Sequence, residues 1–118
     1  MPTASTSPVP AGDRYTTAAM PAEIDIHNRD VLVKRMCRLL DEGGDLIVDM
    51  TATTFCDSSG VHALLTVRRR AQARGKRISV AAPHPNVRRV LEICGIGRLM
   101  PIHSTLAEAA SRRSPAAA

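Results

Sequence analysis

Aromatic side chains are almost missing from this sequence: Tyr15 and Phe55 are the only two, and tryptophan is absent. The core must therefore be aliphatic and alanine-rich, and base stacking on aromatic rings, the usual device of single-strand binders, has no side chains to use. No run approaches the roughly 18 apolar residues of a membrane span. The chain does not open on a basic stretch followed by an apolar one, so the pattern of a secretory signal is not there. Cysteine is scarce as well. Cys37, Cys56 and Cys94 cannot all pair with one another, and none stands in a CxxC spacing. A reducing cytoplasm is expected, with the thiols serving as small buried hydrophobes. A structural metal would want a tighter cluster of Cys and His, and no cofactor motif is visible.

What is present is one ordinary domain's worth of chain, 118 residues. Hydrophobic residues make up 44% and charged ones 23%, a balance that supports a globular core and argues against wholesale disorder. Lys plus Arg number 16 against 11 Asp plus Glu, for a net charge of +5. Fourteen of the sixteen are arginine. Such a surplus permits an anionic partner but speaks first to solubility.

Residues 1–14 are rich in Pro, Ser, Thr, Ala and Gly, and residues 112–118 read Arg-Arg-Ser-Pro-Ala-Ala-Ala; both are expected to be flexible tails. The folded unit is 15–111. From Asn28, read as an N-cap, Leu32, Val33, Met36, Leu39 and Leu40 fall at helical spacing until Gly43-Gly44 ends the run. Residues 46–50 are short, apolar and β-branched, as suits a strand buried on both faces. A second helix carries Val61, Leu64, Leu65 and Ala71 and closes at Gly75; Ile78-Ser79-Val80-Ala81 reads as a strand, ended by Pro83. Val87, Val90, Leu91 and Cys94 define a third helix, 99–102 a short edge strand, and Thr105 with Glu108 a capping box opening a last helix. Strand–helix alternation implies right-handed crossovers, hence an α/β fold: a single parallel sheet of about four strands with helices packed on it. Ahead of the first helix, 15–26 has room for one strand or a cramped pair, so the N-terminal edge is the open part of the reading.

The informative stretch is Phe55-Cys56-Asp57-Ser58-Ser59-Gly60, between the carboxyl end of a buried strand and a helix start. That edge is where ligands and partners dock in open α/β sheets. A helix N-terminus offers N–H groups and partial positive charge, so Ser58 and Ser59 stand where a phosphate is tolerated by the fold. Gly60 would leave the backbone accessible to a large partner. The purely structural reading is that Asp and Ser before an apolar helical run are good N-caps.

Four ordered motifs carry a resemblance. Ala22-Glu23-Ile24-Asp25, then Leu46-Ile47-Val48-Asp49-Met50, then Phe55 to Gly60, and later the run from Pro85 to Ile96 resemble the STAS domain of bacterial anti-sigma factor antagonists, over about residues 20 to 110. The resemblance implies a non-enzymatic, cytoplasmic regulator that binds an anti-sigma factor with a histidine-kinase-like ATPase fold and frees its sigma factor. It implies that this partner phosphorylates Ser58, which switches binding off, and that a PP2C-type phosphatase restores it. By the same likeness Asp57 would orient the acceptor hydroxyl or touch the partner, with Asp25, Ser59 and Gly60 near the same surface. Strand-end solvation for Asp25 and a second cap for Ser59 are the structural alternatives. The chain departs from the family in two places. It has a Thr/Ala-rich 15–20 where two apolar strands are usual; a missing edge strand would leave a bare edge that invites a homodimer. His62 also stands where a small residue is common, in the first helical turn and solvated or near Ser58.

Other readings compete. Asp57, Ser59 and His62 suggest a hydrolase, but there is no Gly-x-Ser-x-Gly elbow. Six cations within 68–77 could touch nucleic acid, although a solvated helix face accounts for them and direct nucleic-acid binding is not expected. A STAS subunit of a larger signalling or transporter assembly would share the fold without phosphorylation.

Overall fold

The computed structural model describes residues 14–81 and 83–113. The expected tails fall outside it, except for Arg14 and for residues 112 and 113, which complete the last helix. Four strands form one parallel sheet: β1 (Tyr15–Ala19), β3 (Asp45–Asp49), β5 (Ile78–Ala81) and β6 (Ile102–His103), in the order β1-β3-β5-β6. A separate parallel ribbon joins β2 (Glu23–Ile24) to β4 (Phe55–Cys56). The helices are α1 (Arg29–Glu42), α2 (Ser58–Ala73), α3 (Pro85–Ile93) and α4 (Leu106–Arg113).

The aliphatic core follows from strand alternation and helical spacing. Leu46, Val48, Ile78, Val80 and Ala18 point to one sheet face, where they meet Leu32, Met36 and Leu40 of α1, Val67 and Ala71 of α2, and Val87 and Leu91 of α3. Each full burial of a side chain such as Leu40 or Ile47 is worth about 1.5–3 kcal/mol. Among the described residues the opposite face is covered by α4, through Ala109 and the partly buried Ala110 against Ile47 and Ala81. Both faces of β3 are therefore buried, which is why its sequence is a continuous apolar run.

The N-terminal edge strand is present. β1 lies on β3 in parallel register from Tyr15↔Asp45 to Ala19↔Asp49. Its thin apolar content reflects its place: only Ala18 is buried, because the strand has one neighbour and leaves much of its surface in solvent. The second expected strand in this region is β2, two residues long and outside the main sheet. β6 begins later than expected. Gly95 takes a positive φ of 77° and starts a 3₁₀ turn, Ile96–Arg98, so Leu99 and Met100 donate back to the Ile96 carbonyl (2.9 and 3.0 Å) instead of extending. Asn28 does not cap α1 with its side chain; its Nδ2 donates to the Glu23 carbonyl (2.8 Å) and its Oδ1 accepts from the Asp25 N–H (3.1 Å), bracing the end of β2. In the last helix the Thr105 hydroxyl caps the Glu108 N–H (3.0 Å), and the Glu108 carboxylate reaches the Ser104 N–H (2.8 Å), closing the box one residue earlier than Thr105.

Among the described residues, no helix is long and apolar enough to cross a membrane. The thiols divide three ways: Cys56 is buried, Cys37 half-buried and Cys94 exposed, so the expectation of three buried hydrophobes holds for one.

Candidate functional site

The threonine-rich loop after β3 sets the site's position. Thr53, fully buried, donates its hydroxyl to the Pro21 carbonyl (2.7 Å), and the Thr54 N–H donates to the Ala22 carbonyl (2.8 Å). These bonds bring the loop against 21–22, so that β4 lies beside β2 with Glu23↔Phe55 and Ile24↔Cys56 in register. The Asp57 N–H then donates to the Ile24 carbonyl (3.4 Å), which sets Asp25 and Asp57 at the same end of the ribbon.

From that end α2 departs. Asp57 is its N-cap: extended backbone, with the carboxylate accepting from the Ser59 N–H at 2.8 Å. Ser58 is the first helical residue and is exposed; Ser59 is half-buried. Gly60 is buried, not accessible. A Cβ built there would lie 2.1 Å from the Cys56 sulfur and 3.3 Å from Ile24 Cγ2, so glycine is required to let the first turn of the helix lie on the ribbon. His62 is exposed one turn after Ser58, and no hydrogen bond joins it to Ser58 or Ser59 among the described residues. Asp25 uses its carboxylate on the His27 N–H (2.8 Å). Burial, with the Asp57 carboxylate and Cys94 adding, pushes the Cys56 thiol up to about 11, so it stays protonated and unreactive at neutral pH.

The structure thus gathers Asp25, Asp57, Ser58, Ser59 and Gly60 at one corner, with His62 a turn further along α2. Chemically the corner offers an exposed hydroxyl at a capped helix start, next to two carboxylates. No Asp–His–Ser relay is assembled, because Asp57 is committed to the cap.

The STAS domain profile matches residues 10–109. This chain belongs to the STAS domain family. Among solved structures, the anti-sigma factor antagonist SpoIIAA in its unphosphorylated form is similar at 27% identity and TM-score 0.71, over 83% of this chain and 86% of that one. The Bacillus cell fate determinant SpoIIAA in its phosphorylated form matches at 24% and 0.64, over 90% and 95%. A sulfate transporter family protein from Wolinella succinogenes has the same fold at 16% identity and TM-score 0.68, over 91% and 88%. A comparison with curated protein sequences finds no match.

Sequence reasoning overlooked the apolar surface of this STAS domain beside the serine. Phe55 is 50% exposed and Ile26 63%, at the two ends of the β2–β4 ribbon, and Ile93 is 77% exposed at the end of α3, which packs on β4. The available signal was that Ile26 and Ile93 fit no core periodicity.

The basic run is largely spent inside the fold. Arg70 and Arg74 pair with Asp41 (2.6 and 3.0 Å), Arg77 with Asp45 (3.1 Å), and the Arg68 Nε donates to the Leu99 carbonyl (3.1 Å). The Lys76 ammonium donates to the carbonyls of Leu40 and Gly43.

Proposed function

We propose that this STAS domain is an anti-sigma factor antagonist whose binding surface surrounds Ser58 and is switched off by phosphorylation of that residue. The observation that carries the reading is the exposed Ser58 hydroxyl on the first residue of α2, with the cap already supplied by Asp57. The likeness to SpoIIAA, an antagonist known in unphosphorylated and phosphorylated forms, supports it. The partner is an anti-sigma factor with a histidine-kinase-like ATPase fold. It docks on Phe55, Ile26 and the polar corner and passes the terminal phosphoryl group of ATP to Ser58, and a PP2C-type phosphatase reverses the step. The chain is a substrate in this cycle rather than a catalyst, and works in the cytoplasm.

Energetics make the switch adequate. A phosphate adds about −1.5 to −2 charges. At a helix N-terminus the fold accepts it, but in the middle of a docked surface it lacks a counter-charge. An unpaired charge in a closed interface costs on the order of 3–5 kcal/mol, which weakens affinity roughly a hundredfold to a few thousandfold. Asp25 and Asp57 beside Ser58 add repulsion in the same direction.

The test is affinity purification of wild type, Ser58→Ala and Ser58→Glu from the source cell, with mass spectrometry of partners and of Ser58. An ATPase-fold protein kept by Ala, lost with Glu and accompanied by phosphoserine in wild type supports the switch. Identical partners on all three baits, without phosphoserine, would sink it. That result would favour a constitutive module of a larger assembly, the reading to which the transporter-family neighbour lends weight.

A further inference from the structure

At the opposite end of α2 the sheet is unfinished. β6 pairs only with Val80 and Ala81 of β5, the Val80 N–H donating to the Pro101 carbonyl at 2.9 Å. Backbone direction alternates along a strand, so the N–H and C=O of Ile78 face the same way as those of Val80. β6 has not begun at that level. The result is a notch of about 270 Å³ between the start of β5, the C-terminal half of α2 and the segment before β6. This lies just under the roughly 300–1,000 Å³ of most small-molecule sites, which limits the occupant to a compact molecule.

The lining has two characters. Leu46, Ala71, Ile78, Leu99 and Pro101 make an apolar floor and wall. Ser79 also lines the notch and is only 7% exposed, its side chain on the sheet face that carries Ile47 and Ala81. Around the mouth, Arg68, Lys76 and Arg77 face a single carboxylate, Asp45. Arg77 and Lys76 are engaged through Asp45 and backbone carbonyls. Among the described residues Arg68 is anchored through Nε alone, which leaves its two terminal nitrogens for a ligand.

We propose that this notch binds a small organic anion with an apolar body, its anionic group on the Arg68 guanidinium and its body against Ala71, Ile78 and Leu99. The site is independent of the Ser58 reading, since it lies at the other end of a helix about 24 Å long.

The test is titration of the full chain with 2-naphthoate, 2-naphthyl phosphate and the neutral 2-naphthylmethanol, followed by amide chemical shifts. Carboxylate and phosphate share the required chemistry, and the tighter of the two names the source. Saturable binding of an anionic probe is expected, with shifts at Gln72, Ile78 and Ser79 and none at Ser58. The alcohol should bind at least about tenfold more weakly, as should naphthoate to Arg68→Gln. Equal affinity for the alcohol and the anions, or shifts scattered over the arginine-rich surface, would overturn the proposal, as would no saturation at millimolar concentrations. The probe comparison needs no variant to fold, so the outcome does not turn on stability.

Discussion

The two ends of α2 are held by different physics. At the C-terminal end, Arg70, Arg74, Lys76 and Arg77 tie the helix and the following turn to Asp41, Asp45 and the carbonyls that finish α1. At the N-terminal end, one carboxylate caps the helix and one glycine lets it touch the ribbon. The end dense in charge is mostly tied into the fold, the terminal nitrogens of Arg68 excepted. The end that looks chemically quiet leaves a serine hydroxyl and two large apolar side chains in solvent. The density of charged residues in a sequence is therefore a poor guide to where a surface is available, because most charges within reach of one another are used up.

The sharpest way to break this contrast is Gly60→Ala. The added methyl would overlap the Cys56 sulfur, so a loss of about 1–3 kcal/mol is expected in urea unfolding. Cys56→Ala in the same chain should restore most of it by making room; a stable single variant would show that the close approach is not needed. Next comes Asp57→Ala, which removes the cap and should cost about 0.5–2 kcal/mol. It should also raise hydrogen exchange in the first turn of α2 while leaving the turn at Arg74 unchanged, and equal changes at both ends would contradict the separation drawn above. The smallest effect is expected at the charged end. Hydrogen bonding from Arg70, helped by Arg74, holds the Asp41 carboxyl down to about 2, below its ordinary 3.8. A depressed folded value stabilises above the unfolded value and is lost as pH falls towards the folded one. Wild type should therefore lose a small increment of stability between about pH 4 and 2, and Asp41→Asn should lack that increment. The pair is exposed, and salt should shrink the difference further.

The main elements were legible because their cause is local. Leu32, Met36 and Leu40 fall on one helical stripe, residues 46–48 are buried on both sides and so uninterrupted, and Asp57 looks like the cap it is. What was hidden depends on partners distant in sequence. The segment 15–19 is a strand because β3 pairs with it, not because its side chains are apolar. β2 and β4 are two residues each, too short to show any period. The Asn28 side chain resembles a cap until Glu23 and Asp25 are seen beside it. At the site, the position of Ser58 could be read, whereas the reason for Gly60 could not: it lies in a contact with Cys56, which no spacing rule reveals.

The uneven covering of the sheet has a dynamic consequence. Helices α1, α2 and α3 share one continuous core, whereas α4 is seated by an alanine on Ile47 and Ala81. A small apolar contact is a weak latch, and units with few buried contacts open before the global transition. The C-terminal helix is thus expected to be the first cooperative unit to detach, which faster amide exchange in 106–111 than in the other helices would check. Its departure bares Ile47 and Ala81 on the far face of the sheet while the large core and the Ser58 corner remain in place, which makes that face a seat the protein can vacate without unfolding.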